Sequence, residues 1–182
     1  MDAINSTNPI KPTHRLGIDL GGTKIEAILI DPAGHHLLRK RVATPRDPDG
    51  PTEYERIRHA VHTLIRRTLE NVPPDQDCTI GVGIPGTINA RSGRVQNANT
   101  TGLIGHPFQK DLEQLLGRPI TMENDANCFT LAEARQGAAK GFNLVFGVIL
   151  GTGCGGGISI GRQIHTGRHR IGGEWGHFAV DP

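Results

Sequence analysis

The first residues suited to chemistry lie in a turn between two apolar runs, in the segment LGIDLGGTKIEAILI, residues 16–30. The β-branched runs on either side of Gly21 and Gly22 predict a strand, a tight turn and a second strand. The glycines permit positive φ and leave no Cβ in the way of a ligand. Thr23 and Lys24 add a hydroxyl and a cation beside exposed backbone N–H groups, and this combination suits a polyphosphate.

Asp19 ends the first predicted strand, directly before the glycine turn. Its carboxylate is an acceptor placed to hold a hydrated metal cation close to bound phosphates. An ordinary Gly-Gly hairpin with an incidental aspartate is the alternative, and this segment alone does not separate the two interpretations.

A second hairpin of the same kind favours phosphate binding. The apolar run 144–150 leads into GTGCGGG, residues 151–157, and a further apolar run, 158–160, follows. Two such hairpins suggest a duplicated unit in which each half offers a phosphate-binding turn to a shared cleft. The glycines of the second turn also fit the dinucleotide pattern G-x-G-x-x-G, but that pattern requires a following helix and a strand is predicted here.

A cluster of polar residues, ENDAN at positions 123–127, lies between a short predicted strand, 120–122, and a predicted helix, 128–138. Asn124 and Asp125 therefore stand at a strand–helix junction, where asparagine and aspartate are preferred helix caps. The cluster holds more acceptors than one cap needs. A carboxylate at such a junction, near two phosphate turns, is placed to take a proton from a hydroxyl group.

Two further polar segments are candidates for ligand contacts. The asparagines of residues 97–102, Asn99 among them, can hydrogen-bond hydroxyl groups, although an ordinary asparagine-rich loop is an equal alternative. In the glycine-punctuated stretch 161–177, Glu174 and His177 stand three residues apart with a glycine between them, which lets both side chains turn toward one pocket.

The remaining pattern predicts an α/β chain with a mixed sheet. The predicted elements are a third strand over residues 35–44, an amphipathic helix over 52–69 that begins with a capping-box spacing, a buried parallel strand over 78–84, and a helix over 108–116 that Gly117 ends.

Composition places the chain among globular proteins. It has 182 residues, of which 36% are hydrophobic and 21% charged, with a net charge of +2. Acidic and basic residues are interspersed, so no nucleic-acid or membrane partner is predicted, and no apolar run approaches the roughly 18 residues of a membrane span. Three widely spaced cysteines are typical of free thiols in a reducing, cytoplasmic compartment.

Four motifs in this order and spacing resemble those of the ROK family (repressor, open reading frame, kinase), the bacterial sugar kinases and sugar-sensing repressors. The motifs are DLGGTK at 19–24, ENDAN at 123–127, GTGCGGG at 151–157 and GEWGH at 173–177. The segments TPRD at 44–47, NAN at 97–99 and GHPF at 105–108 look most like the fructokinase or mannofructokinase branch. N-acetylglucosamine kinases share much of this pattern.

The resemblance implies an actin-like ATPase fold of the ribonuclease H type, with two mixed-sheet α/β domains that close over ATP and a hexose. On this basis residues 1–14 are a flexible leader, 15–122 the N-terminal domain and 123–182 an incomplete C-terminal domain. The resemblance implies that two turns bind the ATP phosphates, through Asp19, Gly21, Gly22, Thr23, Lys24, Gly151, Thr152, Gly153, Gly155 and Gly156. It implies that the sugar hydroxyls are bound by Asn99, Asn124, Asp125, Glu174 and His177. Asp19 would also position the magnesium ion indirectly.

Asp125 is then the general base for the sugar 6-hydroxyl, and fructose is the expected acceptor. An N-acetylglucosamine or glucose kinase is the alternative within the family. A sugar-sensing repressor is the alternative outside catalysis, although a repressor should carry a winged helix-turn-helix before the first motif and only a short, proline-containing segment precedes it here.

Family members run on well beyond the last motif and carry a three-cysteine cluster that, with a histidine matching His177, binds a structural zinc. The three cysteines of this chain, Cys78, Cys128 and Cys154, lie elsewhere, so a structural zinc is expected only of a full-length version. A homodimer is likewise expected of a full-length version. Without the helices that should cover the second hairpin, one face of its sheet is expected to lie bare.

Overall fold

The computed structural model describes residues 13–46, 52–150 and 154–176. The strands are β1 (His14–Leu20), β2 (Lys24–Ile30), β3 (His36–Ala43), β4 (Cys78–Ile84), β5 (Thr87–Ile88), β6 (Val95–Gln96), β7 (Thr121–Asn124), β8 (Leu144–Leu150), β9 (Cys154–Ile160) and β10 (Gln163–Ile164). The helices are α1 (Glu53–Leu69), α2 (Phe108–Leu116) and α3 (Asp125–Gln136), with a 3₁₀ turn over Thr101–Leu103. Strand β1 begins at His14, the last residue of the predicted leader, and residues 1–12 of that leader lie outside the described residues.

The first sheet has five strands in the order β3-β2-β1-β4-β7. The pairs β1–β2 and β2–β3 are antiparallel, whereas β1–β4 and β4–β7 are parallel. The prediction of a mixed sheet is therefore confirmed. Because β1, β4 and β7 run in the same direction, their carboxyl ends meet at one edge of the sheet, which is where ligands bind in open α/β sheets.

The main core lies between this sheet and helices α1 and α2. The apolar periodicity of α1 places Ile57, Val61 and Ile65 against the sheet with no exposed surface. Helix α2 adds Phe108 and Leu112, which are equally buried. The predicted bounds of both helices are confirmed to within one residue, because apolar residues spaced three or four apart bury one face of each helix.

The second sheet, within the described residues, has three antiparallel strands in the order β10-β9-β8. Helix α3 packs across one face of β8 and β9, and glycines make this close approach possible. A Cβ built on Gly147 would overlap the Thr130 hydroxyl and lie 2.9 Å from Thr130 Cβ. A Cβ built on Gly157 would lie 2.6 Å from the same hydroxyl oxygen and 3.0 Å from the Ala126 carbonyl oxygen.

Most of the opposite face of the second sheet is exposed, as the sequence predicted, and the segment with Gly173 and Trp175 covers it at Gly156. Its exposed side chains alternate along β8 and continue on β9: Leu144, Phe146, Val148, Leu150 and Ile160. Leu150 is 73% exposed and Leu144 66%. A contiguous apolar surface of this kind is unusual on an isolated soluble domain.

Replacing Gly147 with alanine should lower the free energy of unfolding by about 1–3 kcal/mol, because the new methyl group collides with Thr130. Urea unfolding measures the change. Gly81→Ala is the matched control, since a Cβ there meets no atom within 4 Å. Combining Gly147→Ala with Thr130→Ala should cost less than the sum of the single changes. Strict additivity would contradict the contact.

Candidate functional site

The predicted site residues of the first sheet converge on the edge formed by the ends of β1, β4 and β7. Asp19 is paired in register with Gly83 of β4, and Gly83 is paired with Glu123 of β7. Helix α3 starts immediately after β7, and a Cβ built on Gly83 would lie 3.9 Å from Asp125 Cα. Asp19 and Asp125 therefore approach Gly83 from two sides.

The turn between β1 and β2 contains glycines because neighbouring atoms leave little space for a Cβ. Neither Gly21 nor Gly22 has the positive φ that glycine permits. A Cβ built on Gly21 would lie 3.0 Å from the Lys24 carbonyl oxygen, and one on Gly22 would lie 3.2 Å from Arg46 Nη2. Both positions are tighter than ordinary side-chain contacts, which explains the residue type.

In this turn the backbone carbonyl oxygens accept hydrogen bonds from the protein, while two backbone N–H groups are left without an acceptor among the described residues. The Thr44 hydroxyl donates to the Gly21 carbonyl oxygen (2.7 Å), and Arg46 Nε donates to the Gly22 carbonyl oxygen (2.8 Å). The Thr44 N–H donates to the Thr23 carbonyl oxygen (3.0 Å). Among the described residues, the N–H groups of Gly22 and Thr23 have no acceptor. A turn with occupied carbonyls and free N–H groups is suited to an anion.

The strand–helix junction uses Asn124 as the helix cap. Its side-chain oxygen accepts from the Asn127 N–H (3.1 Å), and its amide nitrogen donates to the Gly86 carbonyl oxygen (3.1 Å). This cap explains why α3 begins at Asp125, three residues earlier than predicted. Asn124 is also buried, so in this conformation the hydrogen bonds of its side chain are made within the protein.

Asp125 is the first residue of α3 and is more exposed than Asn124. One of its carboxylate oxygens accepts from the Ala126 N–H (2.8 Å). Burial raises the pKa of Asp125, and the negative charge of Asp19 raises it further, while the Ala126 N–H opposes the shift. Asp125 is therefore a stronger proton acceptor than an aspartate in water.

Burial also raises the pKa of Asp19, with a further contribution from Glu26. Lys24 and Arg41 oppose this shift. Perturbed carboxylates close together at a strand edge are typical of functional sites. Glu123 has a supporting role, since its side chain accepts from the Asn124 N–H (2.9 Å) and from Asn127 Nδ2 (3.0 Å).

Asn99 lies in a loop that is tied to the same edge. Its N–H donates to the Pro85 carbonyl oxygen (3.1 Å), and the neighbouring Gly86 carbonyl accepts from Asn124. The residue is exposed, so its side chain is available to a ligand.

Glu174 is held over β9 through Trp175, on the face of the second sheet that lies opposite α3. The Trp175 indole donates to the Gly155 carbonyl oxygen (3.0 Å), whereas a Cβ built on Gly155 itself would point to α3 and lie 3.5 Å from Ala126 Cβ. Gly156 packs against the same indole, where a Cβ would lie 2.8 Å from Trp175 Cδ1. The other predicted residues here, Gly151, Thr152, Gly153 and His177, lie outside the described residues.

No group of three or more His, Cys, Asp or Glu side chains within the described ranges could hold a metal ion. Cys78 is buried in β4, and Cys128 and Cys154 are exposed on α3 and β9, so the three lie on different elements. In the same ranges, no helix is long and apolar enough to cross a membrane. A cavity of about 320 Å³ lined by Asn89, Ala90, Arg91, Gln96, Arg168 and His169 shares no residue with the edge described above.

The sequence analysis missed the contacts of Thr44 and Arg46 with the turn between β1 and β2. The segment that contains Thr44 and Arg46 was noticed only as a feature of one family branch. Its position directly after β3, which pairs with β2, was the available signal that it returns to the turn.

Cys128 should react slowly with iodoacetamide at pH 8. The residue as a whole is exposed, but its thiol lies against β4, where Sγ would be 3.7 Å from a Cβ built on Gly83. This local burial raises the pKa of the thiol to about 11, and the negative charges of Glu123, Asp125 and Asp19 contribute. The small thiolate fraction, partly offset by higher nucleophilicity, predicts alkylation roughly tenfold to a hundredfold slower than in the urea-unfolded chain. The difference should shrink as the pH approaches 11. Mass spectrometry of timed samples measures it, and equal rates at pH 8 would contradict the shift.

Comparison with known proteins agrees with this geometry. Residues 15–182 match the model of the ROK family. An N-acetyl-D-glucosamine kinase of Yersinia enterocolitica is 40% identical over 168 residues, which are 90% of this chain and 52% of that protein. The corresponding kinase of Photobacterium profundum is 39% identical over 163 residues, 88% of this chain and 51% of that protein.

Solved structures show the same fold. A ROK family glucokinase from Streptomyces griseus, in complex with glucose and AMPPNP, superposes with a TM-score of 0.78 at 34% identity, covering 93% of this chain and 51% of that one. ROK hexokinase from Thermus thermophilus gives 0.73 at 33% identity, covering 93% and 54%. The predicted actin-like α/β fold is confirmed, and the chain spans about half the length of the curated relatives it matches.

Proposed function

Because the chain belongs to the ROK family, we propose that it supplies the catalytic aspartate and one phosphate-binding turn of an ATP-dependent sugar kinase. The acceptor we propose is the 6-hydroxyl of N-acetylglucosamine or glucose. The sequence favoured fructose, but the similar proteins described above are N-acetyl-D-glucosamine kinases, a glucokinase and a hexokinase. They support the alternative better than the fructokinase branch.

The observation that carries this proposal is the position of Asp125. It stands at the start of α3, beside the strand edge that holds Asp19, and has a raised pKa. A partly exposed carboxylate of raised basicity, close to a turn that offers free N–H groups, can receive a hydroxyl proton while that hydroxyl attacks a phosphorus atom.

In the proposed reaction, the 6-oxygen of the sugar forms a bond to the terminal phosphorus of ATP. The bond from that phosphorus to the bridging oxygen breaks, and ADP leaves. Asp125 receives the proton of the 6-hydroxyl. The free N–H groups of Gly22 and Thr23 bind phosphate oxygens, and Asn99 and Glu174 bind sugar hydroxyls. The roles of Asn124 and His177 as sugar ligands stay predictions.

Asp19 fits a magnesium ion, because its carboxylate is a hard oxygen ligand and lies beside the proposed phosphate turn. When bound, Mg²⁺ neutralises charge on the phosphates. The repressor alternative has no specific support here. A ROK family transcriptional regulator, a homologue of the E. coli MLC protein, is similar to this chain at 21% identity, which shows the fold alone.

A sugar panel tests the proposal. The 182-residue chain would be assayed for ADP release alone and after reconstitution with the remaining part of the Yersinia enterocolitica kinase. We expect kcat/KM to be highest for N-acetylglucosamine, followed by glucose, with fructose lowest, because the relatives are kinases of the first two sugars. The highest value for fructose would restore the fructokinase interpretation, and the absence of transfer to any hexose in the reconstituted sample would contradict a kinase.

A further inference from the structure

The segment after β3 places an arginine over the proposed phosphate turn. Arg46 Nε donates to the Gly22 carbonyl oxygen (2.8 Å), which fixes the guanidinium beside the turn. Within residues 13–46, 52–150 and 154–176, Arg46 has no carboxylate partner. Arg39 and Arg41 on β3 differ, because both pair with Glu26. Among the described residues, nothing therefore occupies the outer N–H groups of Arg46.

A buried hydroxyl lies near the same point. Thr100 is 5% exposed, and its Oγ1 has no hydrogen-bond partner in the described part of the chain. A Cβ built on Gly22 would lie 3.2 Å from Arg46 Nη2 and 3.9 Å from Thr100 Oγ1, so both groups lie within 4 Å of one position. An unpaired buried hydroxyl is costly, and a ligand bound beside Gly22 would give this one a partner.

We propose that Arg46 and Thr100 bind a phosphoryl group at the turn between β1 and β2, together with the N–H groups of Gly22 and Thr23. This inference rests on the proposed kinase function and adds two residues to its site. Four donor groups converge here: a guanidinium, a hydroxyl and two backbone N–H groups.

The turn carbonyls are already occupied, so a sugar hydroxyl that needs an acceptor is a poorer ligand than an anion. Arginine matches phosphate oxygens in charge and in the geometry of its N–H groups. The phosphoryl group could be the terminal group of the nucleotide or the 6-phosphate of the product, which share this chemistry.

Calorimetric titration of the purified chain tests the site with three probes: AMPPNP with Mg²⁺, ADP with Mg²⁺, and glucose 6-phosphate. In Arg46→Ala, we expect the affinity for AMPPNP to fall about tenfold or more relative to the change for ADP, because only AMPPNP carries the third phosphoryl group. Arg46→Lys should retain part of the preference. Arg91→Ala, which removes an exposed charge, is the control and should change none of the affinities.

Each pattern of loss has a definite meaning. A selective loss for AMPPNP assigns the site to the nucleotide, a selective loss for glucose 6-phosphate assigns it to the product, and a loss for both supports the shared site. An unchanged ratio of AMPPNP to ADP affinity together with unchanged glucose 6-phosphate affinity would overturn the proposal, as would a wild-type chain that binds none of the probes. Hexose phosphorylation by the reconstituted kinase, together with an unchanged ratio and an unchanged glucose 6-phosphate affinity, would overturn this inference alone. Phosphoryl binding without transfer to any hexose would contradict only the kinase.

Thermal unfolding of Thr100→Val separates ligand binding from structure. The valine replaces an unpaired hydroxyl, so we expect a melting temperature equal to or above that of the wild type, while AMPPNP or glucose 6-phosphate affinity falls. Thr68→Val is the matched control, because the buried Thr68 hydroxyl donates to the Leu64 carbonyl oxygen (2.8 Å), and its loss should lower the melting temperature. A lowered melting temperature with unchanged affinity in Thr100→Val would show a structural hydroxyl and overturn its assignment.

Discussion

Asp125→Asn should reduce kcat of the reconstituted kinase by about a hundredfold to ten-thousandfold, because a positioned general base contributes this much. Sugar affinity should change little. The replacement amide keeps an oxygen that can accept the Ala126 N–H, so the start of α3 should keep its geometry. Steady-state ADP release gives kcat, and equilibrium binding of the sugar gives the affinity.

The control for this variant is Asp75→Asn, which neutralises an exposed carboxylate in the loop between α1 and β4 and should leave kcat unchanged. If Asp125→Asn kept more than about a tenth of the wild-type kcat, Asp125 would not be the base. If both variants lost activity equally, the cause would be the loss of negative charge rather than proton transfer.

Phe108→Ala should lower the free energy of unfolding by about 3–5 kcal/mol, the largest change in stability expected here, because it opens a cavity in a well-packed core. Phe108 is fully buried, and its ring packs edge-on against Tyr54 with the centroids 6.1 Å apart. Tyr54 in turn stacks on His106 at 3.8 Å and donates its hydroxyl to Asp111. Urea unfolding of the purified chain measures the change.

Phe142→Ala is the matched control, since this phenylalanine is 65% exposed. It should change the free energy of unfolding by less than about 0.5 kcal/mol, the range typical of surface substitutions. Equal effects of the two substitutions would mean that burial of Phe108 in the core between α1 and α2 does not stabilise the fold.

The sequence predicted best the helices and hairpins that follow from patterns of neighbouring residues. Helices α1 and α2 follow from their apolar periodicity, and the hairpins β1–β2 and β8–β9 follow from short apolar runs around glycines. Helix α3 begins three residues earlier than predicted, because the sequence left Asn124 open as either a ligand or a helix cap. The hydrogen bond to Asn127 identifies it as the cap.

The parts of the site that escaped prediction depend on contacts between distant residues. A Cβ at Gly22 would lie close to Arg46 and Thr100, which come from different loops, and no periodicity links them. Gly21 and Gly22 are required because the chain returns over the turn and leaves little space for a Cβ, and neither uses the positive φ that glycine permits. The preference for fructose was predicted from short segments that fructokinases and N-acetylglucosamine kinases share. Such segments do not distinguish the two sugars.

The order of strands in the first sheet has a consequence for synthesis on the ribosome. The antiparallel strands β1, β2 and β3 are consecutive and can pair as soon as they emerge. Strand β4, the parallel partner of β1, follows about 60 residues later and therefore emerges several seconds afterwards at ordinary translation rates. During this interval the apolar face of the meander, with Leu16 and Ile18, awaits helix α1. We expect the nascent chain to need protection by a chaperone until α1 has docked, and the carboxyl-end edge with Asp19 to be completed only when β7 has joined β4.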